Sequence, residues 1–314
     1  MKFKYFILIF QVFFFISCCS DNKEISKNSL LVRSDPVKYD GLNNITISNL
    51  QISNLSGHCI QLSNCSDIII RNCNLGPSLG EGVFVYNCSN ITIMNCYIHT
   101  VESGIVADTC TGIKVLGNRV KNVNGPMPRG QMVQFGNVTG IGNRINYNIG
   151  ENIPGQSNPE DEISLYRSSG TVSDPIQVIG NWIRGGGPST SGGGIMTGDE
   201  GGAYIIVADN ILVNPGQYGI TIASGHDITI RNNKIFGKQQ KFSNVGLSAY
   251  RQYPINTYAI SIMDNEVNFT NKDGELNNFW NSETCGTVNG WNTNKYNANL
   301  SESILENNII GNIQ

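Results

Sequence analysis

Histidine and charge are both scarce in this chain. Of 314 residues only three are histidine, His58, His99 and His226, and they lie far apart. That argues against a multi-histidine zinc site, and no H-E-x-x-H phrase is present. Charged residues make up 14% of the chain and the net charge is −3. Without a Lys/Arg run or a basic stripe, nucleic acid is not an expected partner. What the chain has instead is a targeting signal, a repeat and one concentrated patch of acid.

Lys2 and Lys4 precede an apolar run from Tyr5 to Ile16 that is interrupted only by Gln11. The run is too short to span a bilayer, so residues 1–18 read as a signal peptide. Its end, Phe15-Ile16-Ser17-Cys18, resembles a bacterial lipobox, with Phe15 where leucine is usual. The resemblance implies lipidation of Cys18, a polar tether over 19–38 and a lipid-anchored place in the cell envelope. Without the lipid the protein would be secreted or periplasmic.

A phrase of the form Ile-x-Ile-x-x-Asn recurs along the rest of the chain. It appears as ITISNL at 45, IIIRNC at 68, ITIMNC at 91, IKVLGN at 113 and NRINYN at 143. It continues as IQVIGN at 176, IIVADN at 205, ITIRNN at 228, ISIMDN at 260 and SILENN at 303. The shortest step is 22 residues and longer steps carry insertions, the signature of a solenoid with variable loops. The sixth position reads Leu50, Cys73, Cys96, then Asn118, Asn148, Asn181, Asn210, Asn233, Asn265 and Asn308. This predicts an asparagine ladder at a β-coil corner, where left-handed backbone is tolerated and stacked amides bond between coils.

A second alternating segment lies mostly eight residues before each phrase, as in Ile60-Gln61-Leu62 and Val83-Phe84-Val85. Gly82, Gly104, Gly194, Gly219 and Gly246 stand just ahead of these segments, a column suited to a tight corner. Short strands, turn asparagines and a glycine column predict an all-β, single-stranded right-handed parallel β-helix of about ten coils over 39–314. Residues 40–314 thereby resemble the superfamily that holds pectate lyases, polygalacturonases and alginate lyases. The resemblance is specific for fold and says little about activity. Cys65, Cys88 and Cys110 fall in register, as do Cys73 and Cys96, and the expected arrangement is a buried column of free thiols rather than disulfides.

The acid patch reads Glu160-Asp161-Glu162-Ile163-Ser164-Leu165-Tyr166-Arg167-Ser168. Glu162 takes the corner-glycine slot, Ile163 and Leu165 point inward, and Glu160, Glu162, Tyr166 and Arg167 are expected on one exposed wall. Gln134 and Ser164 would share the floor, Tyr250 and Arg251 would repeat the Tyr-Arg pair higher up, and insertions at 121–131, 149–160 and 184–194 would wall a groove. The phrase resembles the Glu-x-Glu-Ile-x-x-x-Lys-Ser motif of calcium-dependent lyases of polysaccharide lyase family 6. That resemblance implies Glu160 and Glu162 as calcium ligands and a base at Arg167. Arginine is not deprotonated in proteins, so Tyr166 is the better proton acceptor. The expected activity is metal-assisted β-elimination on an acidic polysaccharide by a monomer. A glycan-binding or scaffold protein without turnover is the alternative, and an epimerase a third. The paired aspartates and the Arg-Ile-Lys of polygalacturonases are missing, which argues against hydrolysis of that type. Asp108, Asp199, Glu200, Trp280 and Trp291 are weaker candidates for sugar contacts or groove acids.

Overall fold

The computed structural model describes residues 30–311, so the signal peptide and Cys18 lie outside the described residues. Stacked coils form a rod in which each coil contributes three strands, one more than the sequence pattern predicts. The first face holds Ile60–Ser63, Val83–Tyr86, Ile105–Asp108, Val133–Gly136 and Ile163–Ser169. The second carries the repeating phrase, as in Ser66–Arg71 and Ser89–Met94. The third follows the ladder position, as in Asn74–Ser78, Tyr97–Val101 and Arg119–Val123. Third-face strands are short and bury at most two aliphatic residues each, such as Leu75 alone or Ile98 with Val101, too little for a legible alternation.

Every strand pairs in parallel with its counterpart one coil away, so Ile105, Val133, Ile163 and Ile195 stack in one column. The third face is an 11-stranded sheet. The first two faces are joined by the 14-residue strand Ile195–Ala208, which turns from one to the other through Gly198, Gly201 and Gly202, all at positive φ. Inward-facing Ile60, Leu62, Ile68, Ile70 and Leu75 are fully buried. Each such side chain contributes about 1.5–3 kcal/mol of transfer free energy. The rod begins earlier than predicted: Val32 and Arg33 pair with Leu50 and Gln51, inside the segment read as a tether.

The ladder is present, but its asparagines are not the left-handed residues. That conformation falls one position earlier, at Asn72, Asn95, Gly117, Tyr147, Gly180, Asp209, Asn232 and Asp264. The turn made there aims the following side chain into the rod. Asn181 Nδ2 donates to Ile145 O at 2.8 Å and to Asn210 Oδ1 at 2.9 Å, while its Oδ1 accepts from Asn148 N and Nδ2 at 3.0 and 3.1 Å. At the top Asn265 Nδ2 donates to Asn294, and Asn308 is not a member. The SILENN phrase is no coil. Residues Glu302–Ile304 form a short 3-10 turn, and the tail runs back down the third face, where Arg184 binds the carbonyls of Glu302 and Leu305 and Lys121 binds Asn308. All seven described cysteines are free and buried, and Cys65 and Cys88 donate their backbone N–H groups to the sulfurs of Cys88 and Cys110.

Candidate functional site

The first face carries a groove of about 440 Å³ on its outer side, within the range of small-molecule sites. Its floor comes from two outward columns of stacked strands. One holds Val106, Gln134 and Ser164; the other holds Asp108, Gly136, Tyr166 and Asp199. The 121–131 insertion supplies one wall through Met127, Pro128 and Arg129. Arg129 Nη1 donates to Gln134 Oε1 at 2.8 Å, and its Nε pairs with the buried Glu81 at 3.0 Å. The 149–160 insertion ends at Glu160, whose Oε1 accepts from Ser191 of the third insertion at 2.6 Å.

Four carboxyls line this groove, Asp108, Glu160, Asp161 and Asp199, and the charges of Glu160 and Asp199 bear on Asp161. Asp161 is 8% exposed. Its Oδ1 accepts from the Tyr218 hydroxyl and from Gly193 N, and among the described residues Oδ2 has no hydrogen bond. Burial, reinforced by the charges of Glu160 and Asp199, raises its pKa to about 7 against the hydrogen bonds that lower it. Asp199 accepts from the Tyr253 hydroxyl at 2.8 Å, and burial raises its pKa as well.

Of the residues picked from sequence, Gln134, Glu160, Ser164 and Tyr166 line the groove, as do the weaker candidates Asp108 and Asp199. Glu162 does not. It is fully buried and turned into the rod, where Asn152 Nδ2 donates to both its oxygens at 2.8 and 2.9 Å. The cause is the corner slot itself. A Cβ placed on Gly82, Gly104, Gly194 or Gly219 runs into inward side chains of the third face, Ile98, Val120, Leu212 and Ile235. Glycine fills the slot because the slot points inward, so a glutamate there points inward too. Burial drives its pKa well above the ordinary value, making it a neutral acid.

Arg167 also leaves the groove. It sits at φ 48 in the turn column of Asn64, Asn87, Thr109 and Asn137, pairs with Glu200 and lies 5.0 Å from the Tyr166 ring centre. The Tyr166 hydroxyl donates to the same Glu200 at 3.0 Å, and desolvation plus that bond raise its pKa. It is the opposite of the activation a tyrosine base needs. Tyr250 packs against Trp280, ring centres 5.4 Å apart, and donates to Gln252, while Arg251 takes its place in the loop beyond; neither lines the groove. With Glu160 and Glu162 on opposite sides of the backbone, the predicted calcium pair does not come together. Among the described residues no group of three or more His, Cys, Asp or Glu side chains has metal-binding spacing.

Asp161 went unnoticed as the middle member of the acid triple. Asp199 reaches the groove because a register shift intervenes: Ser164 pairs with Met196, yet Tyr166 pairs with Asp199. A constant offset would have put Gly198 there. The signal was the glycine on either side of the Asp199-Glu200 pair, which permits such a bulge.

Residues 35–314 match the family model described as right handed beta helix region, and the chain belongs to that family. No curated protein matches it. Among solved structures it is similar to the catalytic domain of a GH87 alpha-1,3-glucanase in complex with tetrasaccharides, at 14% identity and a TM-score of 0.43. That match covers 82% of this chain and 50% of the other, so the chain spans about half the neighbour's length. A likeness of this degree carries no argument about this chain.

Proposed function

We propose that the chain is a carbohydrate-active enzyme whose groove hydrolyses a glycan by carboxyl acid–base chemistry. The observation that carries this reading is one hollow lined by Glu160, Asp161 and Asp199, the charges of the outer two bearing on Asp161, which is desolvated and whose Oδ2 is unengaged among the described residues. Glycoside hydrolysis needs a protonated carboxyl and an ionised one on either side of the scissile bond. Asp161 is the proton donor: its Oδ2 proton passes to the leaving oxygen as the bond to the anomeric carbon breaks. Glu160 or Asp199, ionised, takes the proton of the water that attacks that carbon. Gln134, Asn137 and Ser164 offer neutral donors and acceptors suited to sugar hydroxyls.

The charge balance selects the substrate class. Among the described residues Arg129 is the one basic side chain lining the groove, against Asp108, Glu160, Asp161 and Asp199. A neutral glycan suits that field better than the polyuronate expected from sequence. The base expected for elimination, Tyr166, is tied to Glu200. No step is routed through calcium, since its predicted ligands are separated.

The test is incubation with neutral glucans and xylans and with alginate and pectate, with and without calcium, reading new reducing ends and ultraviolet absorbance separately. New reducing ends on a neutral glycan, lost in Asp161→Asn, support the reading. Unsaturated products from an acidic glycan overturn it in favour of elimination, and binding without product favours the non-catalytic alternative. Lipidation at Cys18 and an envelope location belong to the same proposal. They predict that the protein takes up a labelled fatty acid in a bacterial host and that Cys18→Ser abolishes the label.

A further inference from the structure

The groove is closed at one end and open at the other. Past Ser164 its outward column continues as Met196, Thr221 and Ser248, which are 8%, 1% and 2% exposed and, unlike Val106 and Ser164, do not line the groove. At this end Met196, Tyr218, Ala223 and Val245 form a second apolar cluster, a plug apart from the main core, with Tyr250 packed against it. Tyr218 and Tyr253 extend from this plug to the carboxyls of Asp161 and Asp199. The acids therefore sit against the blocked end. Toward the N-terminal coils the same outward columns hold Phe84, half-buried, and Tyr86, 45% exposed, in register below Val106 and Asp108.

Between Asp108 and Tyr166 the column is missing a side chain. Gly136 occupies that position, and a Cβ there would stand 3.4 Å from the Asp108 carboxyl carbon, inside the hollow. A chain bound through its interior must leave the acids in both directions, and the plug stands in one of them.

We propose that the groove takes the end of a glycan chain: the terminal sugar seats among Glu160, Asp161 and Asp199 against the plug, the next sugar lies over Gly136, and the rest leaves across Tyr86. This inference rests on the function proposed above and adds the mode of attack. Its test uses glucan and xylan oligosaccharides in three forms, native, capped at the reducing end and capped at the non-reducing end, with products sized by electrophoresis. One product length from the first turnovers, and loss of about a hundredfold in rate with one cap but not the other, is the result expected. Tyr86→Ala should raise KM about tenfold for long chains, the scale of one lost stacking contact.

Mixed product lengths, or cleavage of a chain capped at both ends, overturn the end-on mode and leave hydrolysis standing. No cleavage and no binding of any probe overturns both. Where a probe binds without turnover, loss of binding on capping one end supports the mode, and retention with both ends capped overturns it.

Discussion

Replacing Asp161 by asparagine separates what its burial does for chemistry from what it does to stability. The carboxyl titrates at about 7 against an ordinary value of 3.8, with burial as the main cause. Between those pH values the native chain holds a proton that the unfolded chain releases. Stability falls with rising pH wherever the native state binds more protons, so the contribution is complete below the ordinary pKa and is lost as pH passes 7. At about 1.4 kcal/mol per unit, ionisation in this site costs about 4 kcal/mol at pH 8 and under about 2 kcal/mol at pH 5. Asparagine keeps an Oδ1 to accept from Tyr218 and Gly193 and turns its amide toward the groove, so the bonds survive and the titration goes. Urea unfolding at the two pH values should show the variant's stability relative to the native chain rising by about 3 kcal/mol from pH 5 to pH 8. A difference that stays flat with pH would mean that Asp161 is ionised and solvated in the native chain, and its assignment as proton donor would fall with it.

Gly136→Val should keep the circular dichroism of the rod, because Gly136 has no positive φ and its nearest neighbour atom would lie 3.4 Å away; glycan binding should weaken by at least about a hundredfold as the hollow fills. Tyr166→Phe should leave turnover within about threefold, since its hydroxyl is committed to Glu200; a loss beyond about a hundredfold would restore it as the base. Asn181→Ala removes four buried hydrogen bonds and should lower stability by about 3–5 kcal/mol, at about 1–3 kcal/mol per stranded partner. A loss under about 1 kcal/mol in urea unfolding would show that the ladder is packing rather than bonding.

The rod was legible because its rules are local and repeated. The phrase Ile-x-Ile-x-x-Asn sets two inward aliphatics and one ladder residue in every coil, and nine repetitions leave little room for another architecture. Strand three stayed hidden because a stretch such as Arg119–Val123 has too few apolar positions to show a period. The groove was harder. Its floor could be found by counting registers, which brought Gln134 and Ser164 side by side, but its closed end depends on contacts that no local pattern encodes. Tyr218 lies 57 residues from Asp161 and Tyr253 lies 54 from Asp199. A one-residue bulge decides whether Asp199 or a glycine faces Tyr166.

The three acids at 160–162 leave the backbone in three directions because the strand begins only at Ile163 and alternation does not yet apply. Glu160 meets Ser191 on the wall, Asp161 meets Tyr218 at the plug, and Glu162 enters the rod. Burial raises the proton affinity of both Asp161 and Glu162, which suits a proton donor and not a metal ligand. Glu162 serves the others by position. Asn152, which it engages, also accepts the backbone N–H of Val123 through Oδ1 at 2.9 Å, so this buried contact ties the corner to the third face. A neutral acid is closely imitated by an amide, so Glu162→Gln should retain the fold and keep turnover within a few-fold, about the range expected of a group that never touches substrate. Turnover that disappears in this variant and returns with excess calcium would place Glu162 among metal ligands and undo the assignment of roles made from its burial.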